Sequence, residues 1–210
     1  MTFHSEAIST EQQKVLQDLG PVISENGFYM GGGTALALHL GHRRSDDFDW
    51  FTRETIADPL RLAQHLRDAK LDFVTGEIDR GTLHGTIAGV RVSFLEYRYP
   101  LLQSSVRWPK YDISLASLDD LASMKLSAIA QRGAKKDFLD IFALINRHRP
   151  LKELIELYCR KYATDDIAHL LYALVYFDDA DRERMPEPLW RLDWKAIKQN
   201  IRDSVRDLAG

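Results

Sequence analysis

Apolar positions repeat at helical spacing near the start of the chain, over residues 5–27. A stripe with this spacing predicts a helix that packs one face on a core, and Pro21 is expected to divide or kink it. A second helix is predicted to begin at Asp58-Pro59, because proline is favoured in the first turn of a helix. The first stripe consists of Ile8, Val15, Leu16 and Leu19, and the second of Leu60, Ala63, Leu66 and Ala69.

Three short segments with strand-like composition follow, over residues 71–77, 82–87 and 90–97. Glycines separate and interrupt them, a pattern that predicts an antiparallel meander. Residues 101–114 show no clear period and are predicted to be irregular. The β-rich part of the chain is therefore expected to end shortly before residue 117.

From Ser117 onward the pattern is helical. Ser117 is placed to cap a helix that ends at Gly133, and a further helix opens near Asp137. The rest of the chain repeats helical stripes, apart from residues 178–184, which are predicted to form a charged loop.

Together these patterns predict an α/β (α+β) fold. Residues 1–115 are expected to form a small mixed β-sheet core with an N-terminal helix. Residues 116–210 are expected to form a helical domain that completes a cleft against that core.

Charge, cysteine content and hydropathy narrow the class of protein. The formal net charge of −3 gives no global positive field, so any RNA contact would need local basic patches. A single cysteine, Cys159, excludes a disulfide within the chain and a Cys/His zinc site. We find no signal-peptide stretch and no run of transmembrane length, so we expect a cytoplasmic protein without a membrane partner.

The stretch with the most candidate chemistry begins at three consecutive glycines, Gly31, Gly32 and Gly33. They follow an apolar strand, residues 28–30, and precede a run of helix formers that opens with Thr34. Glycine allows positive φ and close approach of the backbone to another group, and Thr34 can cap the helix. The first amides of the helix and its dipole would then form an anion site, for which phosphate is the usual ligand.

Two acidic residues, Asp47 and Asp49, come next and lie two apart on a predicted strand, so they share one face. Adjacent carboxylates repel each other unless a cation lies between them, and Mg²⁺ binds carboxylates together with substrate phosphates. Alone, the glycines would be an ordinary turn and the acid pair a solvated edge. Joined by one helix and by Arg43-Arg44-Ser45, they suggest phosphoryl or nucleotidyl transfer.

These residues resemble the first motif of the DNA polymerase β-like nucleotidyltransferases, and more narrowly the AbiEii/AbiGii toxin branch of that superfamily. Further matches to that branch lie at Lys125 and at Asp137-x-x-Asp140. The resemblance covers roughly residues 28–144. The first motif is carried by Gly32, Gly33, Thr34, Arg43, Arg44, Ser45, Asp47 and Asp49.

The resemblance implies a role for each matching residue. The acid pair would hold one or two Mg²⁺ (or Mn²⁺) ions, and the nucleoside triphosphate (NTP) substrate would be bound at the glycine turn and by basic side chains. Relatives often have a third metal-binding acid on a later strand, and Glu96 is the candidate here. The implied catalytic residues are Asp47, Asp49, Lys125 and Asp137; the nucleotide-binding ones are Gly32, Gly33, Thr34, Arg44 and Lys125; the metal-binding ones are Asp47, Asp49 and Glu96.

Three of these residues also have plain structural interpretations. Glu96 lies at the end of an apolar face, where a glutamate is often a rim residue. Lys125 lies within an apolar helical stripe, so it must either extend to solvent or meet an anion. Asp137 lies in the first turn of a helix, where a carboxylate suits the dipole and can cap.

The implied reaction is transfer of a nucleoside monophosphate from an NTP to an acceptor hydroxyl. The resemblance suggests that this acceptor is a tRNA 3′ end or a protein hydroxyl. The protein would then be the toxin of a toxin–antitoxin or phage-defence pair, with a separately encoded antitoxin as partner. Two alternatives stay open on sequence alone. One is a nucleotide- or RNA-binding module without catalysis, and the other is transfer to a small molecule.

Overall fold

The computed structural model describes residues 2–208. A short 3₁₀ helix, Ser5–Ala7, precedes helix α1, Thr10–Glu25. Ser9 caps α1 in a reciprocal capping box with Gln12, so the helix begins later than the apolar stripe predicts. Of the two predicted effects of Pro21, division of the helix does not occur: Pro21 lies inside α1, and the buried face of α1 continues on both sides of the proline.

The centre of the molecule is a mixed sheet, which within residues 2–208 has seven strands in the order β3-β4-β5-β2-β1-β7-β6. Strand β2 runs antiparallel to β1 and parallel to β5, while β3, β4 and β5 form the predicted antiparallel meander. The strands are β1 Tyr29–Met30, β2 Phe48–Thr52, β3 Phe73–Asp79, β4 Thr82–Ile87, β5 Val90–Glu96, β6 Val106–Trp108 and β7 Ile113–Leu115.

The two C-terminal strands correct the sequence prediction that residues 101–114 are irregular. Strand β7 pairs in parallel with β1 through Met30 and Leu115, and β6 forms the sheet edge beside it. Both strands have only three residues. Segments this short give no periodic signal, and their pairing partners are distant in sequence.

The helices that follow the last strand along the chain pack on one another and on helix α2, Gly32–Leu40. They confirm the α/β class and the helical C-terminal part, with two local corrections: residues 178–182 form a short helix instead of a loop, and α2 begins at Gly32 instead of Thr34. The bounds are α2 Gly32–Leu40, α3 Pro59–Asp68, α4 Leu118–Gln131, α5 Lys135–Arg147, α6 Leu151–Tyr162, α7 Ala168–Val175, α8 Asp178–Arg182 and α9 Trp194–Arg206.

Within residues 2–208, a continuous hydrophobic core cluster runs from the sheet into the C-terminal helices. Helix α2 contacts both α4 and α5, so it connects the sheet to the helical part. The division of the chain near residue 115 stays a prediction. None of the helices described in residues 2–208 is long and apolar enough to cross a membrane.

Candidate active site

Each of the three consecutive glycines lies where a side chain would collide. A Cβ atom on Gly31 would lie 2.6 Å from the Phe51 ring, and one on Gly33 would lie 2.4 Å from Nη2 of Arg43. Gly32 has φ +64°, and its Cβ would lie 2.3 Å from Oδ2 of Asp49. The turn that opens α2 therefore lies directly against the Asp49 carboxylate on one side and the Arg43 guanidinium on the other.

We predict that Gly32→Ala lowers activity by roughly a hundredfold, since a displacement of about 1 Å at a reacting group can have that effect. The new methyl group would have to displace either Asp49 or the first turn of α2. Gly27→Ala is a matched control: Gly27 has φ +69°, and a Cβ atom added there would have no neighbouring atom within 4 Å, so the substitution adds similar backbone strain without a collision. Steady-state rates for both variants, with melting temperatures, check the prediction; equal rates would contradict it.

Thr34 does not cap α2, contrary to prediction, because the helix already begins at Gly32 with Gly31 at the capping position. The Thr34 hydroxyl instead donates to the backbone carbonyl of Asp47 and lies 2.7 Å from the Ser45 hydroxyl. Thr34 thereby ties the loop that carries the acid pair to the first turn of α2.

The acid pair lies at the start of β2, with Asp47 just before the strand and Asp49 within it, and both line one cavity. Burial raises the pKa of Asp49 above its ordinary value, and the charge of Asp47 adds to this, while Lys125 opposes it. Asp47 is half-exposed and accepts a hydrogen bond from Nε of Arg91 at 2.6 Å. A carboxylate whose ionised form is disfavoured beside a second carboxylate is suited to a divalent cation.

Glu96, the predicted third metal ligand, is not brought to this pair. Because β2 and β5 are parallel with Asp49 opposite Ser93, Glu96 lies opposite Thr52, three residues further along. Its carboxylate accepts hydrogen bonds from the Ile56 amide and from Arg98. Within residues 2–208, no group of three or more acidic, histidine or cysteine side chains is placed to hold a metal ion.

Lys125 is buried in α4 and meets carboxylates instead of extending to solvent. Its Nζ lies 3.1 Å from Oδ1 of Asp137 and 2.6 Å from Oδ2 of Asp140. It also lines the cavity near Gly33. The ammonium group therefore joins the D-x-x-D motif to the glycine turn.

Asp137 is fully buried at the first turn of α5 and accepts from Lys125 and from the guanidinium of Arg132. Burial alone would raise the pKa of Asp137, but the charge of Lys125 and the hydrogen bond from Arg132 hold it below its ordinary value. Asp137 is thus an ionised carboxylate that fixes two cations, one of which, Arg132, is exposed at the cavity.

Asp140 completes the network from the opposite side. It accepts two hydrogen bonds from Arg43, at 2.7 and 3.0 Å, and one from Nε2 of His42 at 2.7 Å. Burial would raise the pKa of Asp140, but Arg43, Lys125 and His42 together hold it well below its ordinary value. Asp140 therefore anchors the basic turn after α2 to the helical part of the chain.

The cavity enclosed by these elements has a volume of about 410 Å³. Besides the glycine turn and the acid pair, its lining is rich in cations, which suits a polyanionic ligand. These cations are Arg43, Arg44, Arg91, Lys125, Arg132 and Lys136. The sequence resemblance predicted that Arg44 and Lys125 bind the nucleotide. Arg91 belongs to the neighbouring strand β5, and only the strand register places it at the cavity.

One wall of the cavity comes from the C-terminal third, where the sequence offers no motif. Pro186 and Glu187 line it, and the Arg44 amide donates to the carbonyl of Glu187 at 2.9 Å. The Glu187 carboxylate also lies 2.8 Å from Nε of Arg44. Both parts of the chain therefore contribute to the site.

The family model described as "Nucleotidyl transferase AbiEii toxin, Type IV TA system" matches residues 14–209. The chain belongs to this AbiEii family. An uncharacterized protein of Aquifex aeolicus is 38% identical over 205 residues, covering 95% of this chain and 98% of that protein. The enzyme is a nucleotidyltransferase, as the sequence resemblance implies.

Solved structures show the same fold as this AbiEii family member. JHP933 from Helicobacter pylori has a TM-score of 0.62 at 14% identity, covering 99% of this chain and 93% of that one. MenT4, a nucleotidyltransferase toxin of Mycobacterium tuberculosis, has a TM-score of 0.57 at 15% identity, covering 93% and 82%. At such identities the likeness concerns the fold, and it confirms the predicted fold class.

Proposed function

We propose that this nucleotidyltransferase moves a nucleoside monophosphate from an NTP to a hydroxyl of a macromolecule, a tRNA 3′ end or a protein side chain, with a divalent cation. One observation carries the proposal: a single cavity joins the first turn of α2, the acid pair and six cationic side chains. Helix amides and arginines bind phosphate oxygens, while paired carboxylates bind hard cations.

The residues at the acid pair fit a divalent cation, Mg²⁺ or Mn²⁺. Asp47 and Asp49 supply oxygen ligands, and the raised pKa of Asp49 reflects burial that a bound cation would offset. The Asp47 partner, Arg91, has a side chain that is 69% exposed. When bound, the cation would lower the pKa of the attacking hydroxyl and neutralise charge on phosphate oxygens.

The chain's own residues then have distinct roles in this proposal. The amides of Gly32 and Gly33 and the side chains of Arg44 and Lys125 bind the triphosphate. Asp137 holds Lys125 and Arg132 toward the cavity, a positioning role that suits a carboxylate kept ionised by its partners. The acceptor hydroxyl oxygen attacks the α-phosphorus and releases its proton to solvent, so that a new P–O bond forms. The bond from the α-phosphorus to the oxygen that bridges to the β-phosphate breaks, and pyrophosphate leaves with its electrons.

The test is incubation of the purified protein with each α-³²P-labelled NTP, in separate reactions containing total RNA or total protein, with Mg²⁺ or with EDTA. The proposal expects label in one macromolecular pool only when the cation is present. Label in neither pool, with free NTP unchanged, would contradict it. Label transferred only to a small hydroxyl compound would support the alternative acceptor class.

We further propose that the protein acts as the toxin of a toxin–antitoxin pair, with an antitoxin encoded separately. The description of the family as a type IV toxin supports this role. Induced expression is expected to arrest growth for the wild type but not for Asp49→Asn. Growth arrest by both proteins would separate toxicity from nucleotidyl transfer and contradict the proposal.

A further inference from the structure

Strand β5, which lies beside the acid pair, carries the basic residue Arg91 at a position where a third acidic residue could lie. The register of β2 and β5 sets Asp49 opposite Ser93 and Phe48 opposite Val92, so the next position toward the start of both strands sets Asp47 beside Arg91. Residues two apart share a face, so Arg91 and Ser93 lie on the same face of β5. Arg91 lines the same cavity as the two aspartates, and Ser93 lies opposite Asp49. Neither can act as a carboxylate ligand.

Arg91 forms an ion pair with one of the two acidic residues, Asp47. Its Nε lies 2.6 Å from Oδ1 of Asp47, and this is the only ion pair that Asp47 makes within residues 2–208. Both side chains line the cavity. A guanidinium keeps its charge at every accessible pH, so it competes with a metal ion for the Asp47 carboxylate.

We propose that the acid pair holds a single divalent cation and that Arg91 supplies the second positive charge of the site. The inference rests on the proposed function. In the apoprotein Arg91 neutralises Asp47. When the cation and nucleotide bind, Asp47 turns to the cation, and the Arg91 guanidinium donates to a phosphate oxygen of the nucleotide. This division of labour makes Arg91 a nucleotide-binding residue that also weakens metal binding.

The proposal gives opposite signs for two measurements on Arg91→Gln. Without nucleotide, the variant is expected to bind Mn²⁺ about fivefold more tightly, since an exposed ion pair of this kind is lost as a competitor. With nucleotide, its kcat/KM is expected to fall by roughly tenfold to a hundredfold, because a charged phosphate donor is lost. A purely structural role for Arg91 would not tighten metal binding.

Arg98→Gln is the matched control. Arg98 follows the same strand, pairs with Glu96, and its side chain is 69% exposed, as is that of Arg91. Mn²⁺ affinity and kcat/KM of Arg98→Gln are expected to equal those of the wild type. Mn²⁺ affinity would be measured by titration calorimetry, with melting temperatures to confirm that each variant is folded.

The number of bound ions is a second, independent test. Electron paramagnetic resonance of Mn²⁺ added to the wild-type protein with an equimolar non-hydrolysable NTP analogue is expected to give one bound ion per complex. Two bound ions, or unchanged or weaker Mn²⁺ binding by Arg91→Gln, would overturn the inference while leaving the proposed function intact. Failure of the proposed function would appear separately, as label in neither the RNA pool nor the protein pool when the wild-type protein is incubated with each NTP and Mg²⁺.

Discussion

Asparagine in place of Asp49 is expected to lower nucleotidyl transfer on the order of a thousandfold while the protein stays folded. Asp49 lies within β2, between the glycine turn and Ser93 of the neighbouring strand, so its backbone is fixed by the sheet. The amide has nearly the same size as the carboxylate and preserves the packing. What it removes is the charge on which the proposed cation depends.

Stability is expected to change in the opposite direction from activity. Burial raises the pKa of Asp49, so its ionised form costs folding free energy at neutral pH, and the neutral amide removes that cost. Urea unfolding should therefore show Asp49→Asn to be at least as stable as the wild type. The matched control is Glu96→Gln, at the far end of the parallel strand β5, which is expected to transfer at a near wild-type rate. Full activity in Asp49→Asn, or loss of activity only through unfolding, would contradict the assignment.

The sequence predicted the site best where the site residues lie close together in the chain. The glycine turn, the helix after it and the acid pair lie within about one supersecondary unit, so their spacing predicts their meeting. Lys125 was only partly predictable, because a lysine inside an apolar helical stripe requires either solvent or an anion, and the sequence left both alternatives open. The anions are Asp137 and Asp140, which the D-x-x-D spacing sets on one helical face.

Positions fixed by strand register could not be read from the chain. Glu96 was predicted to join the acid pair as the acid of its strand, but the parallel register moves it three residues past Asp49 and brings Arg91 to Asp47 instead. The wall formed by Glu187 escaped prediction for a similar reason, since its backbone contact with Arg44 joins residues far apart in sequence. Neither pairing leaves a periodic signal.

Asp140→Asn is expected to lower the free energy of unfolding by about 3–5 kcal/mol, the usual cost of breaking a buried ion pair by removing one partner. Asp140 is fully buried and is shared by Arg43, Lys125 and His42, whose side chains are at most 5% exposed. The variant leaves the Arg43 charge without its carboxylate. Because the total stability of a domain is about 5–15 kcal/mol, urea unfolding followed by circular dichroism would detect this loss readily.

The pH dependence of the free energy of unfolding should also change in the Asp140→Asn variant. The pKa of Asp140 is held well below its ordinary value, so the wild type gains stability above the ordinary carboxylate range and loses it as the pH falls toward the lowered pKa. The Asp140→Asn variant lacks this contribution, so its free energy of unfolding should fall less steeply in acid. An equally steep fall would show that the ion pairs of Asp140 contribute little.

A second buried carboxylate separates the structural effect of Asp140 from its effect on the site. Asp120 pairs with Lys161 at 2.7 Å with both side chains fully buried, and neither lines the cavity. Asp120→Asn should therefore be destabilised to a similar extent but stay active below its melting temperature. Asp140→Asn should lose activity even when folded, because Arg43, which lies against Gly33, and Lys125, at the cavity, both depend on Asp140 for their positions. Equal residual activity of the two folded variants would mean that Asp140 only stabilises the fold.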